Sequence, residues 1–121
     1  MTSSRNIWNQ WEITAIRYLQ EKGYRILETN YTIQGGEIDI IAQDQGIYVF
    51  IEVRYRKNES YGHPLDTLTS TKRKALRRGI MYYVMKNSLD VDCIRFDFIG
   101  LMPKKDGTVG HRLWHAIGIE L

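Results

Sequence analysis

The segment GGEIDIIAQDQGIYVFIEVRYRK, residues 35–57, sets Glu37, Asp39, Glu52 and Arg54 among isoleucines, valines and aromatics. Acids in so apolar a stretch need a reason, because burying a charge without a partner is costly. Side chains alternate faces along a strand, so Glu37 and Asp39 are expected on one side of theirs, and Glu52 and Arg54 on one side of theirs. If the two stretches form a hairpin, their backbones lie about 4.8 Å apart, and Asp39 and Glu52 come close enough to share one ligand. Two carboxylates at that separation repel, and in a partly dry site one takes up a proton unless a cation holds both ionised. Hard oxygen donors of this kind suit Mg²⁺ or Mn²⁺, which keep several waters and orient one against a phosphate.

The same residues also read as an internal ion pair. Glu52 and Arg54 share a face two residues apart, and Arg56 or Lys57 could neutralise Asp39 at the solvated end of the sheet. The Glu-x-Arg triplet has no weight by itself. Seven Glu and seventeen Lys plus Arg in 121 positions give roughly one Glu-x-Lys/Arg triplet in random order, and the chain has one. Only its setting, at the charged end of an apolar strand after an acid-bearing hairpin partner, raises it above chance. On the residues alone, metal site and structural ion pair both stay open.

The elements that must position these side chains are legible in the pattern. From about Ser4 to Lys22, Trp8, Trp11, Ala15, Tyr18 and Leu19 recur at spacings of three and four, predicting a helix that Gly23 ends. YRILETNY, GEIDIIA and IYVFIEVRY read as three strands, the last two joined by a QDQG hairpin turn. The third is apolar on both faces at its start, which predicts a central position in a sheet. After the polar loop KNESYGHPL, Thr69 is placed to cap a second helix from about Ser70 to Asn87, with Leu76, Ile80, Tyr83 and Val84 facing inward. CIRFDFIGLM and HRLWHAIGI are two final strands across a KKDG turn. The expected fold is α/β, helices packed against a mixed sheet of about five strands.

Length and composition bound the rest. A chain of 121 residues makes about one domain, here residues 1–121, and its 43% hydrophobic and 26% charged content is that of a globular protein. No run approaches the roughly 18 apolar residues of a membrane span, and MTSSRNIWNQWEI lacks the apolar core of a signal peptide. The expectation is a cytoplasmic protein with no membrane partner. The lone Cys93 has no disulfide partner within the chain, which agrees with a reducing compartment.

Net charge is +3, and RYRK with KRKALRR holds eight of the seventeen basic residues. Clustering of this kind suits a polyanion, although a solvated basic face has the same composition. Lys72, Lys74, Arg77 and Arg78 fall on the second helix, where Lys74, Arg77 and Arg78 are contiguous through i+3 and i+4 relations. Near the acids they would hold a phosphate backbone. His111 and His115 lie four apart, roughly 13 Å along a strand, too far to share one zinc. Asp97, inside RFDFI, is expected to hold a hydrogen-bond network rather than a metal.

The arrangement of an Asp on one strand, a Glu-x-Lys-like triplet on the next and a Glu on a preceding helix resembles the PD-(D/E)xK nuclease superfamily, particularly Holliday-junction resolvases. More closely, RYLQEKGYRILETNY, GGEIDIIA, VFIEVRYR and TSTKRKALRR resemble the YraN family of bacterial proteins, itself placed in that superfamily. The likeness runs from about Glu12 to Val84 and continues more faintly through RFDFI and WHAI. It implies a restriction-endonuclease-like core with an acidic metal site at one end of the sheet. By position, Asp39 and Glu52 would be the metal ligands, with Glu12 a third acid presented from the first helix. Arg54 takes the place of the superfamily lysine. An arginine stays protonated at any working pH, so Arg54 is no general base, but its guanidinium is suited to grip a phosphate and stabilise developing charge. Lys72 is a second candidate for the missing lysine's role. Trp8 and Trp11 stand where relatives tend to have small residues, and are expected to pack or to narrow access to the acids.

The function implied is a Mg²⁺- or Mn²⁺-dependent endonuclease, or a nuclease-derived protein, acting on structured or damaged DNA. Its residues are Glu12, Asp39, Glu52 and Arg54 at the reacting phosphate, and Lys72, Lys74, Arg77 and Arg78 on the nucleic acid. A homodimer is an expectation by analogy with resolvases. The alternative of a different class is a non-catalytic nucleic-acid-binding or adaptor module on a nuclease scaffold. A third is a protein-interaction domain using Tyr55, Tyr61 and Trp114.

Overall fold

The computed structural model describes residues 10–57 and 63–121. Helix α1 spans Gln10–Glu21, followed by strands β1 (Arg25–Ile33), β2 (Gly36–Asp44) and β3 (Ile47–Tyr55), helix α2 (Ser70–Lys86), and strands β4 (Ile94–Pro103) and β5 (His111–Ala116). Single 3₁₀ turns precede α2 at Pro64–Thr67 and β4 at Val91–Cys93. The strands form one five-stranded sheet in the order β1-β2-β3-β4-β5. Every neighbouring pair is antiparallel except β3 and β4, which run parallel because α2 carries the chain back between them. β3 is central, as its two-sided apolar character requires. The expected start of α1 near Ser4, and Trp8 with it, lie outside the described residues.

Local chemistry accounts for these boundaries. The β2–β3 hairpin closes on Gln45 and Gly46, whose φ angles of 50° and 85° are the two left-handed positions of a type I′ turn, the form matched to strand twist. Thr69 caps α2 by accepting a hydrogen bond from the Lys72 amide at 3.3 Å, satisfying one of the first-turn donors that a helix leaves unpaired. At the other end Gly36 and Gly79 let β2 and α2 meet backbone to backbone. A Cβ on Gly36 would stand 2.8 Å from the Gly79 nitrogen and 3.0 Å from the Ala75 carbonyl oxygen.

The two helices cover opposite faces of the sheet. Ala15, Ile16 and Leu19 of α1 pack on Ala42, Val49, Ile51, Val53, Ile99 and Leu101. On the other face Leu76, Ile80, Tyr83 and Val84 of α2 pack on Ile38, Ile41, Phe50, Phe96 and Phe98. The inward stripe expected for the second helix is therefore the one that is buried.

Asp97 of β4, fully buried on the α1 face, is ringed by donors. Arg95 reaches it with Nε at 2.9 Å and Nη2 at 3.0 Å, and the Gly118 amide donates at 3.2 Å. His115 Nε2 lies 2.8 Å away, and Tyr24 donates its hydroxyl at 3.4 Å. His115 is held in turn by the Tyr18 hydroxyl, 3.1 Å from Nδ1. Burial opposes ionisation of Asp97, but the bonds from His115, Arg95 and Gly118 outweigh it and hold the carboxyl below the usual range. The network ties α1, the start of β1, β4 and β5 together, and the expected role for Asp97 stands. His111 stands apart from this network and packs against the rings of Trp11 and Tyr55.

Removing one partner of a buried charge network leaves the others uncompensated, so Asp97→Ala is expected to lose about 3–5 kcal/mol of stability. Urea denaturation measures it, and a loss below about 1 kcal/mol would mean that Arg95 and His115 find water or new partners at little cost.

Candidate active site

Asp39 sits where the sheet comes apart. The β2–β3 ladder runs from the Asp44–Ile47 pair to the Ile40–Ile51 pair and stops. At the next step the Val53 amide donates to Asp39 Oδ2 at 2.9 Å rather than to a strand carbonyl. β1 follows the same irregularity. Asn30, between the Thr29–Ile40 and Tyr31–Ile38 pairs, takes a φ of 51°, a conformation that asparagine tolerates better than most residues. The face alternation expected along β2 breaks here, since Ile38 packs with α2 and Ile40 with α1. The side-sharing expected of Glu37 and Asp39 rested on that alternation. Glu37 is exposed and absent from the cleft described below.

Glu52 follows Phe50 on the α2 face and is 3% exposed, which is rare for a glutamate. Arg54 on the same face approaches it, Nη2 to Oε2 at 2.5 Å, and Lys72 in the first turn of α2 lies 4.0 Å from the same oxygen. Even so, burial first, and then the charge of Asp39 with a hydrogen bond to it, outweigh the two cations and push the Glu52 carboxyl up to about 8. The hairpin therefore brings Asp39 and Glu52 together as its register requires, and the Glu52–Arg54 contact exists beside that pair. Of the two readings left open by the residues, the ion pair is the one seen directly, with the second acid beside it.

Among the described residues, Arg54 Nε and Arg56 Nε are buried without an aligned hydrogen-bond acceptor, and Arg54 Nη2 meets Glu52 as a charge contact rather than an aligned bond.

Beside the acids opens a cleft of about 320 Å³, lined by Trp11, Glu12, Asp39, Val53, Arg54 and Tyr55. Val53 and Tyr55 face α1 and Arg54 faces α2, so residues from both sides of the sheet border one space because the strands have parted. Glu12, in the first turn of α1, shares this cleft with Asp39, but among the described residues no three His, Cys, Asp or Glu side chains gather closely enough to enclose a metal ion. The Asp39–Glu52 pair still fits a hard divalent cation, which commonly binds through one or two carboxylates and keeps water elsewhere.

The α2 cations diverge. Lys72 points to Glu52, whereas Arg78 fills the space where a Cβ on Gly35 would lie. Arg77 donates to the Leu121 carbonyl at 2.7 Å, as Arg73 does to the Glu120 carbonyl at 2.7 Å. Lys74 is exposed. Tyr55 and Trp114 are half-buried rather than free: Tyr55 stacks on Trp11, and Trp114 meets His63 and Phe98 edge-on. Tyr61 lies outside the described residues. Not anticipated from the sequence were the Val53 amide as the partner of Asp39 and the joint exposure of Trp11 and Tyr55 to the cleft. The signal for the latter was adjacency, since these rings neighbour Glu12 and Arg54 in the chain.

A carboxyl whose pKa is raised on folding binds a proton that the unfolded chain has released, so stability falls as pH rises between the ordinary glutamate value and about 8. Glu52→Gln, neutral at every pH, is expected to match the wild type near pH 5 and to melt higher at pH 8.5, by on the order of 5 °C without divalent ions. Equal destabilisation at both pH values would show Glu52 held as an ion pair with Arg54 throughout. Thermal melts across pH decide it.

Comparison with known proteins agrees with the motifs. Residues 11–101 match the model of the uncharacterised protein family UPF0102. A UPF0102 protein of Carboxydothermus hydrogenoformans is 46% identical over 100 residues, covering 83% of this chain and 85% of the relative. One from Flavobacterium psychrophilum is 43% identical over 78% of each chain. A third, from Symbiobacterium thermophilum, is 36% identical over 91% of this chain and 93% of its own length. With the family match spanning most of its length, and relatives this similar across most of theirs, the chain belongs to the UPF0102 family, the YraN family that its motifs resemble.

Proposed function

We propose that the protein is a metal-dependent endonuclease acting on structured or damaged DNA, with Asp39 and Glu52 holding the cation. The observation that carries this reading is the pairing of the acids: Glu52, only 3% exposed, lies beside Asp39, whose carboxylate is held by the Val53 amide, and burial together with the Asp39 charge raises the Glu52 carboxyl. The resemblance to PD-(D/E)xK nucleases supports the reaction class, and the excess of basic residues supports a polyanionic substrate.

Each residue has a distinct task. The Val53 amide fixes the Asp39 carboxylate, so that one ligand oxygen is oriented before anything binds. Glu52 supplies the second, from a position too buried to be satisfied by solvent. A divalent ion held there supplies Lewis-acid polarisation of a phosphoryl oxygen and lowers the pKa of its water. Arg54, which stands against Glu52 at the edge of the cleft, would turn its guanidinium to the phosphate and stabilise charge that develops on it. Glu12, across the cleft, orients the attacking water. Lys72 balances Glu52 from the α2 side, and Lys74 and Arg78 meet the flanking backbone.

The rival reading, a non-catalytic nucleic-acid-binding module, is favoured by one contact: Arg54 already stands against Glu52 where a cation would neutralise it. Calorimetric titration with Mn²⁺, beside cleavage of branched, nicked and single-stranded DNA, separates the two. Wild type is expected to bind Mn²⁺ and cut, and Asp39→Ala and Glu52→Ala to lose at least on the order of a hundredfold in rate. Arg54→Ala is expected to lose about 10²–10³ in rate with Mn²⁺ affinity retained. Equal residual cutting by wild type and the acid variants rejects the enzyme; DNA binding that survives their loss supports the module.

A further inference from the structure

Two aromatic rings, Trp11 and Tyr55, line the cleft together with its acids, and nothing in hydrolysis itself requires that. Trp11 and Tyr55 stack with ring centroids 4.3 Å apart and planes 11° from parallel. His111 stands edge-on to both, 5.5 Å from Tyr55 and 6.3 Å from Trp11. Those separations fix its place. Beyond the outer face of Tyr55, His111 would be much farther from Trp11 than 6.3 Å, so it buttresses the pair from the side and leaves the end of the stack uncovered by that ring. Below, Ala15, Ile16 and Leu19 anchor α1 on the sheet, so Trp11 is mounted on a rigid element. Both stacked rings border the space that Glu12, Asp39 and Arg54 also border.

We infer that this cleft receives one unpaired nucleotide, its base laid against the Trp11–Tyr55 stack and its phosphate toward Arg54 and the acids, so that the substrate is single-stranded or frayed DNA rather than intact duplex. The inference rests on the nuclease reading above and adds the substrate class to it. A volume of about 320 Å³ is near the lower end of the ~300–1,000 Å³ typical of small-ligand clefts, room for a nucleotide-sized unit and not for a base pair within a helix. In a duplex each base already has both faces covered by its neighbours, and presenting one to the rings costs unpairing and unstacking. A single strand, a flap or a frayed end has that face free. Any base offers a π-face, so the wall selects strandedness and not sequence.

The test is fluorescence anisotropy of the full chain at low salt in Ca²⁺, comparing an oligothymidylate of about 15 nucleotides with a blunt duplex of equal length. A 2-aminopurine placed in a single-stranded overhang reports stacking directly. Stacking one base is expected to favour the single strand by roughly 5- to 150-fold in affinity and to quench the 2-aminopurine. Trp11→Leu with Tyr55→Leu is expected to abolish both effects and leave weak duplex binding, while Trp11→Phe keeps them. Should the double variant fail to fold, the wild-type comparison and the probe decide alone. Equal affinity for single strand and duplex with an unquenched probe overturns this inference and leaves metal-dependent cleavage standing. No binding to either, in the presence of the ion, removes the nuclease reading beneath it.

Discussion

A backbone amide in the interior of a sheet has to be hydrogen-bonded, and the rest of the site depends on how that demand is met at Val53. Its N–H points toward β2, where a ladder carbonyl would ordinarily accept it. The Asp39 carboxylate accepts it instead. With the side chain standing in for the backbone, β2 no longer needs to stay alongside β3, and pairing ends at Ile40–Ile51. β2 remains paired with β1 to its first residue, Asn30 absorbing the misfit in a left-handed conformation. β3 continues beside β4 as far as the Tyr55–Leu101 pair. The sheet stays closed on both flanks while opening between its second and third strands. One side-chain bond thus satisfies an orphan amide, orients an acid and makes the space beside it.

The opening sets a charge problem that the local residues do not fully solve. Glu52 is buried next to Asp39, and Arg54 and Lys72 approach it from its own face. Two acids and two bases look balanced on paper, but position matters more than the tally. Lys72 is at the 4.0 Å limit of an ion pair and nearly half-exposed, where solvent screens it. Arg54 is close and meets Glu52 through Nη2. Burial and the neighbouring Asp39 nevertheless outweigh both cations, and the Glu52 carboxyl is raised. Arg54 cannot take a proton from water at any working pH, so beside Glu52 it acts as a fixed positive charge.

How much of this was legible in the letters follows from how local each feature is. The QDQG turn fixes its hairpin by its own φ requirements, and a fixed hairpin fixes the register, so the approach of Asp39 to Glu52 could be derived from about twenty residues. The second helix was equally readable, since Thr69, Leu76, Ile80, Tyr83 and Val84 lie within one amphipathic period. The break in alternation at Asp39 was not readable, because a period-two rule presumes a regular strand and the irregularity is a tertiary bargain with Val53. Nor was the spread of the α2 cations. Helical spacing places Lys74, Arg77 and Arg78 on one surface, but it cannot foresee that Arg77 would be taken by the Leu121 carbonyl or that Arg78 would lie over Gly35. The partners of Asp97 come from residues as far apart as Tyr24 and Gly118, and only the folded chain assembles them.

The contrast between the two buried clusters argues for where function resides. Glu52 and Asp97 lie one register step apart on adjacent strands, Asp97 opposite Ile51 and Glu52 opposite Phe98, yet on opposite faces. On the α1 face, Asp97 has the Arg95 guanidinium, the His115 ring, the Tyr24 hydroxyl and the Gly118 amide around it, and ionises more readily than a free aspartate. A carboxylate so fully satisfied has nothing left to offer a substrate; its interactions stabilise the fold. On the other face, Glu52 is buried against Asp39 and a partly exposed Arg54, an arrangement that costs stability and that packing alone does not explain. The same strand pair therefore carries one solved and one unsolved electrostatic problem, and an unsolved one kept buried beside an open cleft is the kind of local inconsistency that a binding or catalytic site leaves in a fold.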